Sequence, residues 1–258
     1  MVEMKRVLTI GGSDPTGGAG IQMDLKVFQT LGVWGLSCIT TVTVQTTFGV
    51  EKITKIPPHI VARQIDAAVL DIGINACKIG MLYSPRIVSV VAERIRRRHI
   101  QNVVLDPIIK AKGGRSLLTP KALKRLKQEL IPLSLIITPN IEEAEALSGF
   151  SVRSPEDMEL AAQKVYEMGT KFVLIKGGHL PLEPIDVLFD GENFHRFSSP
   201  RIKKTVHGTG CILSSAIASY LAKGESPVNG VRLAIEFTRS AIERAVLLGK
   251  GPHYLVPF

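Results

Sequence analysis

Several features are scarce or missing in this 258-residue chain, and each absence narrows what it can be. Aromatic residues make up only 5% of it, so Val, Ile, Leu and Ala must fill the core. No apolar run approaches the ~20 residues needed to cross a bilayer, so no membrane role is expected. Residues 1–10 are too short and too soon broken by Gly11-Gly12 for a secretory leader. Three cysteines, Cys38, Cys77 and Cys211, are widely spaced and odd in number. That pattern fits reduced thiols and a cytoplasmic setting. Without a CxxC or HExxH pattern, a zinc site is not expected. No Ser/Gly/Pro-rich linker, low-complexity stretch or fixed-period repeat divides the chain, and one domain over 1–258 is expected.

What is present is a core-forming composition, 45% hydrophobic, and a net charge of +9. A positive balance suits phosphorylated small molecules or nucleic acid. The densest basic run is Arg94, Arg96, Arg97, Arg98 and His99. It closes a helical stretch that opens at Ser84, where cations favour the negative end of the helix dipole. With no interleaved aromatics, a nucleic-acid partner is not expected.

Apolar runs alternate with amphipathic segments throughout, the pattern of a parallel sheet covered by helices. Strands are predicted at 6–10, 36–44, 76–79, 102–105, 134–138 and 171–175. Helices are predicted at 20–31, 59–70, from Ser84, at 120–130, from Ser154, at 210–222 and at 228–248. A hairpin of 185–189 and 193–197, joined by Asp190-Gly191-Glu192, gives the sheet an antiparallel edge. Ligands of such sheets bind at the carboxyl ends of the strands. There the unusual residues gather: the 11–20 glycine loop, Gln45, Gly80, Asp106, Asn140, Lys176 and Gly177-Gly178.

The 11–20 loop fits neither GxGxxG in any register nor the Walker A spacing, so it is no standard phosphate cradle. It permits close approach of backbone to a ligand. Asp24, one turn into the next helix, is either a ligand contact or an exposed helix residue. In Thr205-Val206-His207-Gly208-Thr209-Gly210-Cys211, glycines break the chain before an apolar helix. Free N–H groups of 208–211, with the helix dipole, form an anion site suited to a transferring phosphoryl group. Cys211 there is expected to have a lowered pKa and to accept a proton from an attacking hydroxyl; equally, it is a small packing residue. Asp106 and the run Thr138-Pro139-Asn140-Ile141-Glu142-Glu143 offer oxygens for Mg²⁺, which takes one or two carboxylates plus phosphates and water. Glu142 and Glu145 also read as the acidic first turn of a helix. Lys176, ending a buried strand, suits a polyphosphate. The six histidines show no base-and-orienter pairing, and no GxSxG elbow exists, so a hydrolase triad is unsupported.

Taken in order, Gly11-Gly12-Ser13-Asp14-Pro15-Thr16-Gly17-Gly18-Ala19-Gly20-Ile21-Gln22-Met23-Asp24, Lys78-Ile79-Gly80-Met81-Leu82, Leu105-Asp106-Pro107, Thr138-Pro139-Asn140-Ile141-Glu142-Glu143-Ala144-Glu145, Lys176-Gly177-Gly178-His179 and His207-Gly208-Thr209-Gly210-Cys211 resemble the hydroxymethylpyrimidine and phosphomethylpyrimidine kinases of thiamine biosynthesis. The resemblance covers 8–251. It implies a ribokinase-like three-layer α/β/α sandwich without a separate lid domain. It also implies ATP-dependent phosphorylation of 4-amino-5-hydroxymethyl-2-methylpyrimidine and of its monophosphate. By it, Gly12, Asp24, Gln45 and Met81 line the pyrimidine pocket, Gln45 reading a ring edge as donor and acceptor. Asp106, Asn140, Glu143, Lys176 and Thr209 serve ATP, with Asp106 and Glu143 toward Mg²⁺. Cys211, Gly208, Gly210 and Lys176 form the catalytic set, and a homodimer is implied. One departure is Thr47, where the family commonly carries asparagine two residues after the glutamine. A pyridoxine or pyridoxal kinase is the alternative. A non-catalytic binding module is a further one, opposed by the intact set of Asp106, Glu143, Lys176 and Cys211.

Overall fold

Val7, Leu8 and Ile10 have no exposed surface, and that two-sided burial marks the strand they share as central. In the computed structural model, which describes residues 3–111, 114–178, 184–198, 200–202 and 204–257, this strand is β1 (Arg6–Ser13). It lies between β2 (Trp34–Thr46) and β4 (Ala76–Ile79), both parallel to it; β3 (Gly49–Lys55) folds back antiparallel on β2. Beyond β4 come β5 (Val103–Leu105), β6 (Ile136–Ile137) and β7 (Phe172–Lys176), all parallel. The antiparallel strands β8 (Ile185–Phe189) and β9 (Phe194–Ser198) complete the far edge. The order across the nine-stranded sheet is β3-β2-β1-β4-β5-β6-β7-β8-β9.

Side chains alternate between two cores, as the two-residue strand period requires. Leu8, Ile10, Cys77, Ile79, Val103 and Leu105 face α2 (Pro58–Ala67), α3 (Pro85–Arg97), α4 (Pro120–Arg125), α5 (Ile141–Ser148) and α6 (Pro155–Tyr166). Val7, Ala76, Val104 and Leu174 face α1 (Gly20–Thr30), α7 (Thr209–Ala222) and α8 (Pro227–Glu243). These two helical layers on one sheet are the expected α/β/α sandwich. Each fully buried Val, Leu or Ile contributes about 1.5–3 kcal/mol, so the aliphatic composition suffices without aromatics.

The basic run on α3 is structural. Ser84 caps the helix by accepting from Ile87 N–H, and Pro85 takes the first-turn position. At the other end Arg94 and Arg98 both pair with Asp66, while Arg96 donates to Glu129 O.

The structure corrects several boundaries. β2 is longer than 36–44, and its partner β3 was not anticipated, so both sheet edges are antiparallel. The 59–70 helix is α2 continued by a wider turn, Ala68–Ile72. The last helix ends at Glu243, well before 248. Val246 instead bridges Tyr254, and β11 (His253–Tyr254) pairs with β10 (Val206–His207). No helix among the described residues is long and apolar enough to cross a membrane. His179 lies outside the described residues, as do Lys112 and Gly113.

Candidate active site

After β1 the chain reaches β2 on one side and then returns to β4 on the other. This reversal opens a crevice at the carboxyl ends of the strands, where such sheets take ligands. In sheet order the strand ends present Gln45, Gly12, Met81, Asp106, Asn140 and Lys176, which is how distant motifs come together. They line one cleft of about 1600 Å³ with the 207–211 turn, which exceeds the ~300–1,000 Å³ of a single small-ligand pocket. The cleft therefore accommodates two small molecules side by side.

The start of α7 sits at its centre. Gly208, the N-cap, has φ of +91°, and a Cβ on it would overlap Gly18 O, so only glycine fits. Having no side chain, it cannot cap the first-turn amides, which stay available to a ligand at the positive end of a 14-residue helix. Gly210 has Asp106 Oδ2 and Lys176 Nζ each 3.4 Å from where its Cβ would stand. A cation, a carboxylate and free amides thus meet at one point.

Lys176 Nζ lies 3.0 Å from Asp106 Oδ1, which also accepts from Thr138 Oγ1 at 3.3 Å. Burial alone would depress the Lys176 pKa, yet the charges of Asp106 and Glu143 hold it above the ordinary lysine value. Glu143 is pushed up to about 7, first by burial and then by Asp106, with Lys176 opposing. Asn140 and Glu143 form a reciprocal cap on α5. Asn140 Oδ1 accepts Glu143 N–H, and Glu143 Oε2 accepts Asn140 N–H, each at 2.9 Å. The amide oxygen of Asn140 expected to face ATP is therefore engaged in the helix cap. No cluster of three or more His, Cys, Asp and Glu suited to a metal cage occurs among the described residues. Mg²⁺ needs only one or two carboxylates beside phosphates and water, and Asp106 and Glu143, both lining the cleft, match that number.

Asp24 is not the exposed helix residue of the second sequence reading; it lies in the floor of the cleft. It is completely buried, and both oxygens are occupied. Oδ1 takes Lys78 Nζ at 3.0 Å and Ser215 Oγ at 2.7 Å, while Oδ2 takes Lys78 Nζ at 2.9 Å and Thr9 Oγ1 at 2.6 Å. Sequence reasoning missed Lys78, Thr9 and Ser215 as members of this floor. Lys78 left a signal, being a charged residue inside the otherwise apolar β4. Cys211 is corrected too. Its thiol is pushed up to about 11, because burial and the charges of Asp24 and Asp106 outweigh Lys78. It packs within the α7 core, so in the ligand-free protein it is a thiol, not the thiolate expected at a helix start.

At the β1–β2 side, a Cβ on Gly12 would stand 2.7 Å from Thr41 Oγ1 and 3.2 Å from Met81 Sδ, so Gly12 and Met81 form a tight wall. Met81 is held by its carbonyl, which accepts from Thr40 Oγ1 at 2.6 Å. Gln45 is half-buried, its Nε2 3.4 Å from His207 Nε2. His207 Nε2 is also 3.8 Å from Asp14 Oδ2. Burial would raise the Asp14 pKa, but hydrogen bonds from His207 and Thr16 hold it below the carboxylate norm. No histidine pairing was visible in the sequence because Asp14 and His207 are joined only by the fold.

The family model described as phosphomethylpyrimidine kinase matches residues 14–256. The chain is 42% identical over 249 residues to the hydroxymethylpyrimidine/phosphomethylpyrimidine kinase of Bacillus subtilis, covering 95% of this chain and 92% of that one. It is 45% identical to the thiamine biosynthesis bifunctional protein ThiED of Geobacter sulfurreducens, but spans only 50% of that longer protein. Among solved structures, the ADP complex of Bacillus subtilis pyridoxal kinase superposes with a TM-score of 0.93 at 35% identity, covering 98% of this chain and 97% of that one. Phosphomethylpyrimidine kinase from Clostridium difficile gives 0.84 at 41% identity, covering 92% and 99%.

Proposed function

The chain belongs to the phosphomethylpyrimidine kinase family, and we propose that it transfers a phosphoryl group from ATP to 4-amino-5-hydroxymethyl-2-methylpyrimidine and then to the resulting monophosphate. The observation that carries this reading is the meeting of α7 amides, Lys176 and Asp106 at Gly210, between two halves of a cleft with room for two ligands.

Phosphoryl transfer proceeds through a loose transition state, so positioning and charge stabilisation supply most of the catalysis. In this proposal Gly12 and Met81 wall the pyrimidine half, and Gln45 reads the ring edge through its donor and acceptor atoms. The amides of 208–211, Thr209 among them, hold the transferring group, and the bare Cα of Gly210 lets it approach. Lys176 leaves Asp106 to neutralise phosphate oxygens. Asp106 and Glu143 would hold Mg²⁺, which supplies charge neutralisation on the polyphosphate; Asn140 keeps Glu143 in place through the α5 cap. Asp24 supports the floor of the pyrimidine half through Lys78. Cys211 is assigned to take the proton of the attacking hydroxyl as the thiolate, after its own proton has left to solvent, the Lys78 charge favouring that ionised form.

Three buried, unpaired cysteines support a reducing, cytoplasmic setting within the same proposal. The homodimer finds support in exposed Val42, Val44 and Phe48 along the β2–β3 hairpin, and sedimentation equilibrium tests it. ADP formation with the pyrimidine alcohol and with pyridoxine, side by side, tests the function. Faster turnover of the pyrimidine is expected. A large pyridoxine preference would transfer the assignment to a pyridoxal-type kinase, and no ADP with either would make the chain a binding module.

A further inference from the structure

The chain beyond α8 enters the active cleft. Val246 N–H donates to Tyr254 O at 2.9 Å, and Tyr254 N–H donates to Val246 O at 2.7 Å. On its other side β11 runs parallel to β10, with His253 N–H donating to Thr205 O at 2.9 Å. Backbone pairing on both sides leaves the Tyr254 ring little freedom. Only 6% of the residue is exposed, and it lines the cleft.

The ring has two neighbours there. A Cβ on Gly18 would overlap its Cε1 and Cδ1 edge and stand 3.0 Å from His207 Cδ2, so the glycine loop packs directly against both rings. The His207 ring meets it edge-on, with centroids 6.0 Å apart and planes at 65°. That geometry is favourable for an aromatic pair. The same segment also touches the β2–β3 turn, where a Cβ on Gly249 would stand 2.9 Å from Thr47 Cγ2. Thr47 lies two residues beyond Gln45. One segment therefore braces the glycine loop, the turn before α7 and the turn after Gln45, and all three belong to the pyrimidine half.

We infer that Tyr254 is a positioning residue of the alcohol-substrate site, its ring wedging the glycine loop and the His207 turn into the register that sets Gln45, His207 and the α7 amides around one ligand. The inference rests on the kinase reading above. It differs from a general stabilising role in that its effect falls on one substrate and not the other.

Two measurements on the full-length protein test it. In steady-state assays Tyr254→Ala is expected to lower kcat/KM for the pyrimidine alcohol by roughly 10–100-fold, the scale of an ångström-sized misplacement, with the KM for ATP within about twofold. Tyr254→Phe keeps the ring carbons that make the contacts and should restore most of the loss. Gly18→Ala presses on the same contact from the loop side and should reproduce the Tyr254→Ala defect. In hydrogen exchange, amides 17–19 and the first hydrogen-bonded amides of α7, 212–214, should open faster in Tyr254→Ala, while those of α3 keep native rates. Native exchange at both sites would overturn the inference, as would an equal rise in both KM values. Should wild-type protein form no ADP with the pyrimidine, the kinase reading fails on that result, and the exchange measurement still decides whether Tyr254 braces the two turns.

Discussion

Lys78→Met would leave the Asp24 carboxylate in the floor of the site without its ammonium partner. Both residues are essentially free of solvent, Lys78 at 1% and Asp24 at 0%. Two oxygens within 3.0 Å of Nζ make the geometry close to ideal. Removing one member of such a buried pair costs about 3–5 kcal/mol, because a charge remains with no water to solvate it. Against a total stability of about 5–15 kcal/mol, that is a third or more of what holds the chain folded. Asp24→Leu leaves a buried lysine that can shed its proton, so its charge penalty should be smaller. The double variant Lys78→Met/Asp24→Leu carries no buried charge. It strands the Thr9 and Ser215 hydroxyls, at about 1–3 kcal/mol each, so it should lie well short of the sum of the single changes. A coupling of at least about 2 kcal/mol is expected.

Urea unfolding followed by circular dichroism measures it, with the midpoint moving at unchanged slope. Burial alone would lower the Lys78 pKa, but Asp24 drives it above the ordinary lysine range. A base so raised stabilises at every pH below its unfolded value, near 10.4, and loses that contribution only as the pH climbs beyond. The wild-type contribution of the Lys78 charge should therefore be constant from pH 6 to 9 (roughly the neutral range). A penalty below about 1 kcal/mol, or additivity in the double variant, would refute the reasoning.

Alkylation of Cys211 by iodoacetamide in the ligand-free protein should keep rising toward pH 11, following a thiol pushed up to about 11, and a plateau near neutrality would mean that the helix start outweighs burial. Cys211→Ala should lower kcat by roughly 10²–10⁴ with the unfolding midpoint preserved, and a near-wild-type rate would place catalysis on the anion site without it. Glu143, pushed up to about 7, binds its proton more tightly folded than unfolded. Its ionisation therefore weakens the fold above that pH, and the penalty fades as the pH falls toward its unfolded value. Mg²⁺ with ATP should displace this proton near pH 6.5 (about half a unit below the raised value), giving a binding enthalpy that varies with the buffer. Glu143→Gln should remove that variation, and a buffer-independent wild-type enthalpy would count against Glu143 as a metal ligand. Gln45→Ala should raise the KM for the pyrimidine roughly tenfold, the value of one hydrogen bond, with the KM for ATP unchanged; an equal effect on both would displace Gln45 from the ring edge.

The sandwich was legible because each layer leaves a periodic mark. Strands buried on both faces read as apolar runs, and Val7 against Leu8 already alternates between the two cores. β3 left no such mark, since no residue of Gly49–Lys55 is buried and the strand is rich in charge. The two-residue pairing of β10 with β11 depends on chain distant in sequence. That the strand-end residues would line one cleft was likewise legible, but their protonation states were not. A helix start favours an anion by about 0.3–1 kcal/mol at the surface, and local sequence shows it. Full burial can shift a pKa by up to 3–5 units, several times more energy, and depends on what the fold stacks above the group. That imbalance explains Cys211, where a visible small effect lost to a hidden large one. Two lysines make the same point from opposite ends. Lys176 is the last residue of β7, its side chain 17% exposed, and it reaches the cleft beside Gly210. Lys78 is the penultimate residue of β4, and that single step of register sends it beneath the floor to Asp24. A lysine that reaches into the cleft and one held in an ion pair below it thus differ by one position along a strand, and only the packing of α1 and α7 over the sheet tells them apart.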